Sequence, residues 1–116
     1  MKKLLFVLTA LALTVSSCKT VYSTTSIEAN KSFVLGENEH GGFEVRLKNI
    51  SKNDVELYKM PDGEIKQLIK TINPGKSFTI KIGVNTALYI FNKSDNKASV
   101  ELTLISGSNL SMGYEN

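Results

Sequence analysis

From Phe33 onward the chain alternates apolar and polar residues. Phe43, Val45 and Leu47 alternate with Glu44, Arg46 and Lys48, and Val55 and Leu57 with Asp54 and Glu56. Phe78, Ile80 and Ile82 alternate with Ser77, Thr79 and Lys81, and Val100, Leu102 and Leu104 with Glu101 and Thr103. Successive side chains of a strand point to opposite faces, so each run predicts a strand with one face buried and one in water. Phe33 with Leu35, and Leu110, Met112 and Tyr114, repeat the pattern more briefly. Leu88-Tyr89-Ile90-Phe91 is apolar on both faces, which predicts a central strand covered on each side. Glu64 to Ile72 is ambiguous, because Ile65, Leu68, Ile69 and Ile72 also fit a helical stripe; the tight turns around it favour a strand.

Breakers sit between the runs. Met60-Pro61-Asp62-Gly63 is a Pro-led turn, and Asn73-Pro74-Gly75-Lys76 predicts a type II turn with Gly75 at the left-handed position. Asn49-Ile50-Ser51-Lys52-Asn53 before Val55-Glu56-Leu57 is echoed by Asn92-Lys93-Ser94-Asp95-Asn96 before Val100-Glu101-Leu102. Two copies fall short of a repeat stack, so the echo predicts two similar hairpins reusing one turn chemistry. Short strands at this spacing predict an all-β antiparallel sandwich or barrel of about seven to nine strands. The phrase Ile72-Asn73-Pro74-Gly75-Lys76-Ser77-Phe78-Thr79-Ile80 resembles a Pro-Gly corner common in immunoglobulin-like and fibronectin-like bacterial domains. That resemblance implies an immunoglobulin-like sandwich for residues 30–116, although the chain has no Trp and its one Cys lies near the N-terminus.

That terminus is of a different kind. Lys2 and Lys3 precede an uncharged apolar run from Leu4 to Val15, followed by Ser16, Ser17 and Cys18. A dozen helical residues span roughly 18 Å, short of a bilayer core of about 30 Å, so 1–17 reads as a cleaved signal helix outside the fold. Val15-Ser16-Ser17-Cys18 resembles the lipobox of bacterial lipoproteins. The resemblance implies that the Cys18 thiol receives a diacylglycerol, that the chain is cut before it, and that acyl chains hold the protein on a membrane. A lone cysteine without a disulfide partner suits that role. Residues after the cysteine help sort such lipoproteins. Lys19-Thr20 carries neither an Asp retention signal nor an acidic surface-export cluster, which points to the outer membrane, facing the periplasm. Residues 18–29, rich in Ser and Thr, fit either a tether or a first edge strand.

Composition narrows the partners. The net charge of +3 includes Lys2 and Lys3; without them 12 basic residues face 11 acidic ones, interleaved along the chain. Nucleic acid is therefore not expected as a partner. His40 is the only histidine, in a Gly-rich loop with Glu37 and Glu39, and reads as a solvated loop residue. Asp62, Asp95 and Asn96 lack the oxygen spacing of a calcium loop. The Asn-x-Ser sites at Asn30, Asn49, Asn92 and Asn109 read as turn chemistry, and Tyr22, Tyr58 and Tyr114 as candidates for a binding face.

The expectation is a lipid-anchored envelope module that binds or assembles with another envelope protein, without cofactor, metal or catalytic residues, and not an enzyme. The alternative is a small inhibitor or ligand-binding lipoprotein resembling the β-barrels that block lysozyme.

Overall fold

The structure, a computed structural model, describes residues 21–115. Cys18 and the signal segment lie outside the described residues. Nine strands follow in order: β1 (Val21–Ile27), β2 (Lys31–Leu35), β3 (Phe43–Asn49), β4 (Val55–Pro61), β5 (Gln67–Ile72), β6 (Ser77–Ile82), β7 (Thr86–Asn92), β8 (Ala98–Ser106) and β9 (Met112–Glu115). They form a four-stranded sheet, β1-β8-β3-β6, and a five-stranded sheet, β5-β4-β7-β2-β9, with every pairing antiparallel.

The order becomes intelligible as one long hairpin rolled up. β4 pairs with β5, β3 with β6, β2 with β7 and β1 with β8, and these nested pairs fall alternately in the two sheets. This winding is a jelly roll, with β9 added at the β2 edge. The immunoglobulin-like expectation is corrected here. Alternation tells which residues face inward but not which strands pair, and a Pro-Gly corner between β5 and β6 serves either topology. Residues 18–29, open between tether and edge strand, form β1 from Val21 on.

The inner faces interlock as the periodicity predicts. Ile27, Val45, Leu47, Val55, Leu57, Leu88, Ile90 and Val100 are at most 1% exposed, and Phe33, Phe43 and Ile82 close the layer. Burying one such side chain stabilises by about 1.5–3 kcal/mol. The edges are less sealed: Phe78 and Ile80 on β6 are half-buried, and on β9 Met112 and Tyr114 stay exposed while Leu110 packs on the core. The ambiguous run resolves into β5, with Glu64–Lys66 left in the preceding loop.

The repeated Asn-x-Ser-x-Asn phrases form two of the corners, β3 to β4 and β7 to β8, at which the chain changes sheet. Asn49 and Asn92 are wholly buried. The Asn49 amide donates to the Asn53 carbonyl (2.7 Å) and the Ile72 carbonyl (2.9 Å), and its Oδ1 accepts from the Ser51 N–H (2.9 Å) and hydroxyl (2.6 Å). Asn92 does the same with the carbonyls of Asn96 (2.7 Å) and Ile27 (3.0 Å) and with Ser94 (3.0 and 2.7 Å). Each amide thus satisfies backbone groups that a corner withholds from the ladder.

Candidate functional site

The outer face of the five-stranded sheet departs from the half-wet pattern of a sandwich. Val34, Tyr89 and Tyr58 are cross-strand neighbours in one row, and Glu115, Ser32, Phe91 and Glu56 form the next. Tyr89 is only 1% exposed although it faces away from the core, and it clusters with Val34, Ala87, Tyr58 and Met60. Its cover is local. The Lys66 ammonium, from the β4–β5 loop, sits 4.0 Å from the Tyr89 ring centroid and 3.6 Å from the Glu115 carboxylate.

Beside this cover lies a trough of 370 Å³ lined by Asn30, Lys31, Ser32, Tyr58, Lys66, Phe91 and Glu115. It exists because Ser32 is small and stands between Phe91 and Glu115 in its row. The walls are aromatic: Phe91 and Tyr58 meet edge to face at 6.5 Å. The rim is polar and carries both charges. Tyr58 donates its hydroxyl proton to Glu56 (2.7 Å), and Lys93 pairs with the same carboxylate at 3.2 Å. The hydrogen bond to Glu56 holds the Tyr58 hydroxyl above its ordinary pKa of 10, helped by desolvation and by the carboxylate charge. Desolvation raises Tyr89, assisted by the charges of Glu115 and Glu37 and by a hydrogen bond to Glu37. An apolar floor with a few fixed polar groups at its rim is the chemistry of a binding site for an amphipathic ligand.

The tyrosines singled out in the sequence do not share a face. Tyr58 lines the trough, Tyr22 stands on the outer face of the other sheet beside Arg46 and Thr103, and Tyr114 packs edge-on against Phe33 at 5.1 Å. Tyr89 and Phe91 belong to the outer face of β7, opposite Leu88 and Ile90; the two-sided apolar pattern of the strand was their signal.

His40 is corrected as well. It is buried, not solvated. Its Nε2 lies 2.9 Å from the Thr86 carbonyl, Nδ1 is close to the Gly41 carbonyl, and the ring meets Phe43 edge to face at 5.2 Å. Its backbone N–H donates to Asn85 Oδ1 (2.8 Å), so the residue pins the β2–β3 loop to the β6–β7 turn. Glu37 and Glu39 stay exposed. Among the described residues no group of three or more His, Cys, Asp and Glu is placed to hold a metal ion. No described helix is long and apolar enough to cross a membrane.

No family model matches the chain, and no curated protein does. Solved structures do. PirA superposes with a TM-score of 0.57 at 8% identity, covering 76% of this chain and 97% of that one. A Cupin_2 domain of an XRE family transcriptional regulator from Enterobacter cloacae gives a TM-score of 0.55 at 18% identity, covering 78% and 85%. An oxalate oxidase gives 0.55 at 9% identity; this chain covers 44% of that chain's length and 78% of its own is matched. These likenesses show the fold alone. They also overturn the expectation that the chain is not an enzyme, since an oxidase carries this fold and a small all-β domain is no argument against catalysis.

Proposed function

We infer that the protein is an envelope lipoprotein, held on the membrane by acyl chains on Cys18, whose jelly roll binds a partner through the outer face of its five-stranded sheet. The observation that carries the binding half is the trough walled by Phe91 and Tyr58 beside the Lys66–Glu115 pair. A solvated sheet face needs no aromatic lining, and exposed apolar surface inside a polar rim marks interaction sites. The anchor half rests on the lipobox resemblance at Val15–Cys18; the residues after it, Lys19-Thr20, without an Asp or an acidic cluster, favour the outer membrane facing the periplasm. The expected partner is an envelope protein offering an extended segment with both apolar and charged side chains, to match the aromatic wall and the mixed-charge rim.

A photo-crosslinking amino acid at Asn30, on the trough rim, should trap a discrete adduct in intact cells, whereas one at Thr79, on the outer face of the other sheet, should not. Equal adduct patterns from the two positions would remove the trough from the reading. Growth in labelled palmitate checks the anchor: label that persists in Cys18→Ala, or never enters the natural protein, removes lipidation.

A further inference from the structure

We propose that the domain meets the lipid surface with the end at which β1 begins, so that the trough opens on the half facing away from the membrane. This rests on acylation of Cys18. Because consecutive strands run in opposite directions throughout, the loops separate into two sets. Loops 36–42, 62–66, 83–85 and 107–111 share one end with Val21, which pairs with Leu104; loops 28–30, 50–54, 73–76 and 93–97 share the other. Three residue steps separate Cys18 from Val21, a reach of at most about 11 Å. A seven-residue strand is about 23 Å long, so a tether this short cannot bring the opposite end to the surface in place of its own.

The distribution of exposed apolar side chains points the same way, independently of the lipobox. Tyr22, Ile65, Leu68, Val84, Ile105 and Met112 are 40–80% exposed and lie at or near the end where β1 starts, while Ile50 and Tyr114 are the exposed large apolar residues on the other half. Side chains of this kind favour the headgroup boundary of a bilayer. The charges set which lipid. Glu37, Glu39, Asp62 and Glu64 lie in the same loops, against Lys66 alone, so this end suits zwitterionic headgroups and is repelled by anionic ones. Of the trough residues, Asn30 lies in a far-end loop and Ser32, Phe91 and Glu115 in the far halves of their strands, while Lys66 reaches in from the near-end loop 62–66; a partner can therefore approach the far side of the trough from the water.

The test uses the mature acylated protein in phosphatidylcholine vesicles containing lipids with a quencher on the headgroup. With the Cys18 thiol consumed, a second cysteine labels selectively. A fluorophore at Ser108→Cys should be quenched several-fold more than one at Lys52→Cys, and adding phosphatidylglycerol should weaken the quenching at Ser108→Cys. Equal quenching at the two positions, or more at Lys52→Cys, overturns the orientation while leaving the anchor intact. Insensitivity to phosphatidylglycerol overturns the headgroup preference. A mass for the natural protein showing unmodified Cys18 overturns the anchor and the orientation with it.

Discussion

Removing the Asn92 side chain should be among the most damaging single changes to the described domain. Its amide donates to the carbonyls of Ile27, Glu28 and Asn96, and its Oδ1 accepts from the Ser94 N–H and hydroxyl. In Asn92→Ala the Glu28 carbonyl keeps the Lys31 N–H, and the Asn96 carbonyl keeps the Ser94 hydroxyl. The Ile27 carbonyl and the Ser94 N–H lose their side-chain partner. Two under-satisfied groups at about 1–1.5 kcal/mol each, with a small void where the amide was, give a loss of about 3 kcal/mol. At an m-value of about 1.5 kcal/mol/M, the urea midpoint followed by circular dichroism should fall by about 2 M with m unchanged. Asn92→Asp separates donor from acceptor: it keeps the oxygen facing Ser94 but turns a second oxygen toward three carbonyls, so it should be no more stable than Asn92→Ala. A loss below 1 kcal/mol in Asn92→Ala, or near-natural stability in Asn92→Asp, would refute the view that the amide donors hold this corner together.

Gly107 adopts φ +119°, and a Cβ there would lie 2.5 Å from Phe43 Cβ, so Gly107→Ala should cost about 2–4 kcal/mol by thermal melting. Gly63→Ala, at φ +75° with nothing within 4 Å, should cost about 1–2 kcal/mol, which isolates the clash from the backbone strain. Gly36→Ala places its Cβ 2.8 Å from His40 Nε2, so the imidazole must leave the Thr86 carbonyl; the His40 ring resonances should shift, and unchanged resonances would contradict the packing. In Glu56→Ala the Tyr58 hydroxyl should titrate lower than in the natural protein, read by NMR of its ring carbons. Since the folded state raises this pKa, the Tyr58–Glu56 bond contributes stability in full below about pH 10 and loses it as pH rises through the folded value.

The inward-facing half of the fold was legible because burial on one face leaves a period-two trace. Val45, Leu47, Val55, Leu57, Val100 and Leu102 all point where alternation puts them. Strand pairing leaves no such trace: β1 reaches across to β8, and β2 to β7, through contacts between residues far apart in the chain. The echo at Asn49 and Asn92 was visible as turn chemistry. Its role as a buried corner was not, because the carbonyls of Ile72 and Ile27 that each amide satisfies come from other strands. His40 misled for a related reason. A Gly-rich polar loop reads as solvated, yet Asn85 in the β6–β7 turn and Thr86 at the start of β7 supply the partners that bury it.

The trough marks the place where local pattern and global architecture disagree. A two-sheet sandwich gives each strand one buried face, but β7 is apolar on both, so its outer residues need cover that a second sheet cannot supply. The chain meets that need only in part. Lys66 and Glu115 close over Tyr89, while Phe91 and Tyr58, on neighbouring strands of the same face, stay half-buried with Ser32 too small to fill the gap between Phe91 and Glu115. Leaving the Phe91 ring partly in water forgoes part of the stabilisation its full burial would bring. Keeping the ring and leaving it half-covered is the arrangement expected when the missing cover arrives with a partner.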